Sequence, residues 1–161
     1  MAAPIGPYTP VVRAGDWIIV SGQLGLRDGS LVEGGVRAQT AQAIANLRKQ
    51  LTSVGASLTD VSKTLCFLTD MDTFATFNEA YVAEFGSHRP ARSTIGVAAL
   101  PAGGAVEVEA WAYVPATATR APRSAAKKSS GKKPAPKKKP APKKKSAPKK
   151  SSGKKPTRKK R

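Results

Sequence analysis

Apolar and small side chains recur at Val36, Thr40, Ala43, Ile44, Leu47, Leu51 and Val54, the three-and-four spacing that lines one side of an α-helix. Gly55 stands just beyond, where helices commonly end on a left-handed residue. A second stripe, Phe74, Phe77, Tyr81, Val82 and Phe85, predicts another helix with Asp72 as its N-cap and Gly86 as its stop. Elsewhere the period falls to two. Residues 8–12 and 17–24 predict strands joined by a Gly15-Asp16 turn, and 60–68, 92–97 and 105–114 predict three more, the last two linked by Pro101-Ala102-Gly103-Gly104. Gly22, Gly25, Gly29 and Gly34-Gly35 predict an irregular crossing between the hairpin and the first helix.

The order strand, strand, helix, strand, helix, strand, strand predicts an α+β two-layer sandwich, a mixed sheet with two helices on one face. The other face is unusual. In the last strand Val106, Val108, Ala110, Ala112 and Val114 alternate with Glu107, Glu109, Trp111 and Tyr113. A face mixing carboxylates with large aromatics is expected either to line a ligand site or to pack against another subunit in a closed homo-oligomer.

Composition divides the chain. Up to Thr119 there are 8 Lys+Arg and 10 Asp+Glu; from Arg120 onward there are 20 basic residues and no acidic ones, so the net charge of +18 belongs to the tail. Residues 1–119 are read as one folded domain, close to the common domain size of about 100–150 residues, and 120–161 as a disordered basic tail. The single cysteine, Cys66, excludes an intrachain disulfide and is expected in the core. The N-terminus has no basic segment followed by an apolar run, and no stretch approaches the ~20 apolar residues that span a bilayer. A cytoplasmic protein is expected.

Chemistry is concentrated in Arg89-Pro90-Ala91-Arg92-Ser93-Thr94 and, fifteen residues after Arg92, in Glu107. A guanidinium is permanently charged and its planar fork matches a carboxylate, while a partly buried Glu can deprotonate a water. The expectation is a cation and a carboxylate on neighbouring strands, suited to a small amino-acid-like acid. An Arg and a Glu so placed are more often structural partners than catalysts, so other residues must decide.

Five separated segments help. Ile5-Gly6-Pro7-Tyr8, Ile18-Ile19-Val20-Ser21-Gly22-Gln23, Asp72-Thr73-Phe74-Ala75-Thr76-Phe77-Asn78, Pro90-Ala91-Arg92-Ser93 and Val106-Glu107-Val108-Glu109-Ala110 stand in the order found in the RidA/YjgF family of reactive intermediate deaminases, which the chain resembles over residues 5–114. The resemblance implies a chorismate-mutase-like fold, a homotrimer with sites between subunits, and hydrolysis of enamines and imines such as 2-aminoacrylate to 2-oxo acids and ammonia. It implies no metal and no organic cofactor. It also implies that Arg92 clamps the substrate carboxylate, that Glu107 activates the water, that Tyr8 closes the pocket from the first strand, and that Ser21 and Asn78 line it. Thr94 stands where many members carry cysteine; a backbone carbonyl role there survives the change, whereas thiol chemistry does not. Thr9-Pro10, Gly96 and Ala99 also depart from the family and are expected to affect substrate entry or preference.

Local alternatives are plain. Tyr8 alone reads as a strand aromatic, Ser21 as a strand-end hydroxyl, Asn78 as a helix-flank amide, Glu109 as an interface partner and His88 as a loop residue. Only the joint occurrence of the first three with Arg92 and Glu107 favours a site.

The tail repeats Ala, Pro and Lys, with Lys137, Lys138, Lys139, Lys143, Lys144 and Lys145 at its centre. It resembles the tails of linker histones and some bacterial nucleoid proteins. Dense lysine without aromatics predicts sequence-neutral, salt-dependent binding of DNA or RNA through phosphates, and hence nucleoid association. No amphipathic helix or lipidation motif points to a membrane. Three functions remain in view: the deaminase, a nucleic-acid-associated protein whose trimeric domain only senses a ligand, and a ribonuclease, which lacks a histidine pair or metal cluster and ranks last.

Overall fold

The computed structural model describes residues 6–115. The boundary expected near Thr119, and the tail lysines, lie outside the described residues. Strands β1 (Val11–Ala14), β2 (Trp17–Leu24), β5 (Val61–Leu68), β6 (Ala91–Gly96) and β7 (Val106–Tyr113) form one mixed sheet in the order β1-β2-β7-β5-β6. Only β5 and β6 run parallel. Helices α1 (Gly35–Ser53) and α2 (Phe74–Phe85) cover one face, giving the expected α+β two-layer sandwich.

The two stripes and the alternation meet in one core. Ile44, Leu47 and Leu51 of α1, Phe77 of α2, and Ile18, Val20, Leu68, Val106 and Val108 of the sheet have no solvent exposure. Each such side chain contributes roughly 1.5–3 kcal/mol by leaving water. On the solvent side Arg37 and Arg48 of α1 pair with Glu79 and Glu84 of α2; such exposed pairs add only about 0–1 kcal/mol each. The apolar joint therefore holds the helices together.

Some details differ from the pattern. The Gly15-Asp16 hairpin forms as expected, but its first strand begins at Val11, so Tyr8 precedes the strand. Pro10 supplies no amide proton to a ladder, which limits the strand on that side. The irregular crossing contains a small hairpin, β3 (Leu26–Arg27) with β4 (Ser30–Leu31), turned by Asp28 and Gly29, both at positive φ. Asp-Gly favours that turn. The entry to α2 is capped by Asp70, whose carboxylate accepts from the Asp72 amide at 2.9 Å, because a 3-10 turn over Met71–Thr73 precedes the helix. Asp72 is thus not the cap. Val82 points to solvent rather than joining the buried stripe.

Candidate active site

Glu107 alternates with the buried Val106 and Val108 and so faces away from the helices. It borders a cleft of about 320 Å³ lined by Gly6, Tyr8, Ser21, Gly22, Leu24, Pro101 and Glu107. Burial, with the Glu109 carboxylate as a lesser cause, pushes the Glu107 carboxyl above the usual range.

A β-bulge shapes this cleft. Val20 pairs with Ala110 and Gln23 with Val108, so Ser21 and Gly22 together oppose the single residue Glu109. The Ser21 hydroxyl donates to the Thr9 carbonyl at 2.8 Å and its amide to Pro10, tying the bulge to the segment that carries Tyr8. Gln23 Nε2 donates to the Ser21 carbonyl at 2.8 Å. Tyr8 and Ser21 therefore line the same cleft as Glu107. Tyr8 is exposed at the cleft mouth and reaches it from the loop, not from the first strand.

Arg92 lies elsewhere. Strand β6 is the edge, and β5 separates it from β7, so Arg92 and Glu107 are not on neighbouring strands. In register, Arg92 stands beside the buried Thr64, whereas Glu107 stands beside Phe67. An odd offset along β5 puts the two on opposite faces. Local pattern shows strands but not their order, and β7 inserts between β2 and β5 through pairings distant in sequence.

The Arg92 guanidinium donates to Asn78 Oδ1 at 2.7 Å and stands 4.7, 5.2 and 5.7 Å from the ring centroids of Tyr81, Phe77 and Phe74. Three rings and an amide fix its position. The Phe74, Phe77, Tyr81 and Phe85 stripe is core at Phe77, Tyr81 and Phe85, but Phe74 remains partly open beside Arg92. This supporting role escaped the sequence reading, although the i, i+3, i+4 and i+7 spacing of Phe74, Phe77, Asn78 and Tyr81 already put them on one helix side.

Thr94 registers with Cys66 on the helix-facing side, and its buried Oγ1 has no hydrogen-bond partner among the described residues. Cys66 is in the core, and burial pushes its thiol up to about 11, outweighing Thr64, Arg92 and Lys63. It is neutral at physiological pH. His88 Nε2 donates to the Val61 carbonyl at 2.7 Å from a loop position. Glu109 accepts from Trp111 Nε1 at 2.8 Å. Two groups thus emerge in a protomer: Tyr8, Ser21 and Glu107 in the cleft, and Arg92, Asn78 and Thr94 on the far side of the sheet. Among the described residues no cluster of His, Cys, Asp and Glu could hold a metal ion, and no helix is long and apolar enough to cross a membrane.

This fold and these segments belong to a known class: the endoribonuclease L-PSP family model matches residues 1–114, and the chain is a member of that RidA/YjgF family. Among its relatives, the 2-iminobutanoate/2-iminopropanoate deaminase of Bos taurus is 44% identical over 112 residues, 68% of this chain and 82% of that protein. RidA from an Antarctic Psychrobacter superposes with a TM-score of 0.67 at 40% identity, covering 70% of this chain and 92% of the other. Escherichia coli TdcF, solved with bound serine, gives a TM-score of 0.65 at 34% identity, covering 68% of this chain and 90% of the other.

Proposed function

We propose that this chain hydrolyses reactive enamines and imines such as 2-aminoacrylate to 2-oxo acids and ammonia. The observation that carries the reading is Glu107, a desolvated carboxylate of raised pKa in a cleft sized for a small acid. The deaminase relatives and the serine bound to TdcF support it.

In this reading Arg92 binds the substrate carboxylate through its fork, Asn78 orients the guanidinium, and the backbone carbonyl of Thr94 holds a water. Ionised Glu107 takes a proton from that water as its oxygen attacks the imine carbon, and the C=N electron pair moves to nitrogen. Glu107 returns the proton to nitrogen. The hydroxyl passes its proton through Glu107 to that nitrogen, and ammonia leaves with the C–N electron pair as the 2-oxo group forms. An enamine is first protonated at its methylene carbon, for which the protonated fraction of Glu107 is suited. Tyr8 closes the cleft. Residues supply every step, so no cofactor is invoked.

Arg92 and Glu107 act on one substrate only if a second copy brings them together. A homotrimer does this and covers the outer sheet face, where Trp17, Ile19, Ile95, Trp111 and Tyr113 are all exposed in the protomer. The sites then lie between subunits.

A second reading concerns residues 120–161, whose 20 positive charges stand without one negative. The tail tethers the enzyme to DNA or RNA through Lys137, Lys138, Lys139, Lys143, Lys144 and Lys145, within the cytoplasm or nucleoid. If about ten lysines engage phosphates of a duplex, the logarithmic salt slope is roughly −9.

The test is release of ammonia and 2-oxo acid from freshly generated 2-aminoacrylate by the full chain, by Arg92→Ala and by a form ending at Thr119. Loss with Arg92→Ala and retention on truncation support the deaminase. No release by the full chain overturns it, leaving a nucleic-acid-associated protein with a ligand-sensing domain. Ribonuclease activity ranks lower, because the only histidine, His88, is held at the Val61 carbonyl.

A further inference from the structure

Gly22 occupies the second position of the bulge, two residues before Leu24, which registers with Glu107. The two-residue period turns it toward the Glu107 side chain. A Cβ on Gly22 would overlap the carboxylate, standing 2.5 Å from Glu107 Cδ and 2.9 Å from Cγ, and the three heavy atoms nearest that Cβ all belong to Glu107. The Gly22 φ lies outside the left-handed region, so backbone conformation does not demand glycine here. Space does.

We infer that Gly22 is a positioning residue whose bare Cα gives the Glu107 carboxylate its place over the bulge. Ser21 and Gln23 pin the bulge from either side through the Thr9 and Ser21 carbonyls, so Gly22 cannot retreat. Any side chain at 22 moves the carboxylate instead, because the far end of a glutamate swings more easily than two strands part. The carboxylate then leaves both its covered position and the line of attack on the substrate. The Ser-Gly-Gln segment thus works as a unit: two side chains fix a backbone bulge and the missing third makes room for the base. This deepens the deaminase reading and rests on it for its catalytic consequence, but not for its structural one.

The test is Gly22→Ala in the full-length protein, with the Glu107 carboxyl titrated by carbon NMR without substrate and turnover of 2-aminoacrylate measured alongside. A regained hydration shell brings the Glu107 pKa down toward the ordinary glutamate range. Misplacement of the base by about 1 Å lowers kcat on the order of 10²-fold with a smaller change in KM. An unchanged Glu107 titration overturns the inference. A changed titration in a protein whose wild type releases no ammonia sustains the positioning role and removes the deaminase reading. Should Gly22→Ala fail to fold, Gly22→Ala/Glu107→Ala decides: folding of the double variant supports the inference, and failure overturns it by placing the need for glycine in the backbone.

Discussion

Arg92 and Glu107 face opposite sides of one sheet, with strand β5 between their strands. If they serve one substrate, each site takes its arginine from one subunit and its glutamate from another. Mixing and reassembling inactive Arg92→Ala and Glu107→Ala proteins is then expected to restore activity. Random assembly with one site per interface gives roughly a quarter of the wild-type rate. A mixture as inactive as its components, despite verified subunit exchange, would count against shared sites.

In the proposed mechanism, the raised pKa of Glu107 ties activity to pH. Burial disfavours its charged form, and water activation requires that form, so kcat/KM should fall on the acid side with a midpoint above the 4.5 of an ordinary glutamate. Replacement by Gln should reduce turnover by about 10²–10⁴-fold. A rate profile measured across this range, with the variant beside it, checks both.

Stability should move the other way. The stabilising share of Glu107 is fully present below its unfolded pKa and is lost as pH rises through the higher folded value. Glu107→Gln is therefore expected to have a higher Tm than wild type at pH 7, an advantage that shrinks as pH drops below the folded pKa. Thermal melts at several pH values provide the comparison.

The buried hydroxyls of Thr64 and Tyr81 lie 2.8 Å apart, joining β5 to α2. Tyr81→Phe removes this bond and leaves the Thr64 hydroxyl with Cys66 as its side-chain partner, so it should cost about 0.5–1.5 kcal/mol. Equal denaturation midpoints for the single variant and wild type would show that the bond contributes nothing.

The helices and long strands are legible in the sequence because each buries a face that repeats every 3.6 or two residues. The Tyr8, Ser21 and Glu107 group is legible only through the family resemblance, whose segments Ile5-Gly6-Pro7-Tyr8, Ile18-Ile19-Val20-Ser21-Gly22-Gln23 and Val106-Glu107-Val108-Glu109-Ala110 carry all three. Strand order is not, because it depends on which distant strand β7 joins. That is why the expected proximity of Arg92 and Glu107 fails while each residue stands on its expected strand. Val82 shows a smaller failure: an apolar residue next to Tyr81 fits a stripe on paper, yet the 100° step turns it outward. The space at Gly22 shows only when the bulge and the glutamate are seen together.

Arginine brings more rotamer freedom than almost any other side chain, and freezing it on ligand binding ordinarily weakens affinity. Packed among Phe74, Phe77 and Tyr81 and bonded to Asn78, Arg92 has already lost that freedom during folding. If Arg92 receives the small, short-lived anion of the proposed reaction, that ligand, with few atoms through which to offset ordering, meets a receptor that is rigid before it arrives.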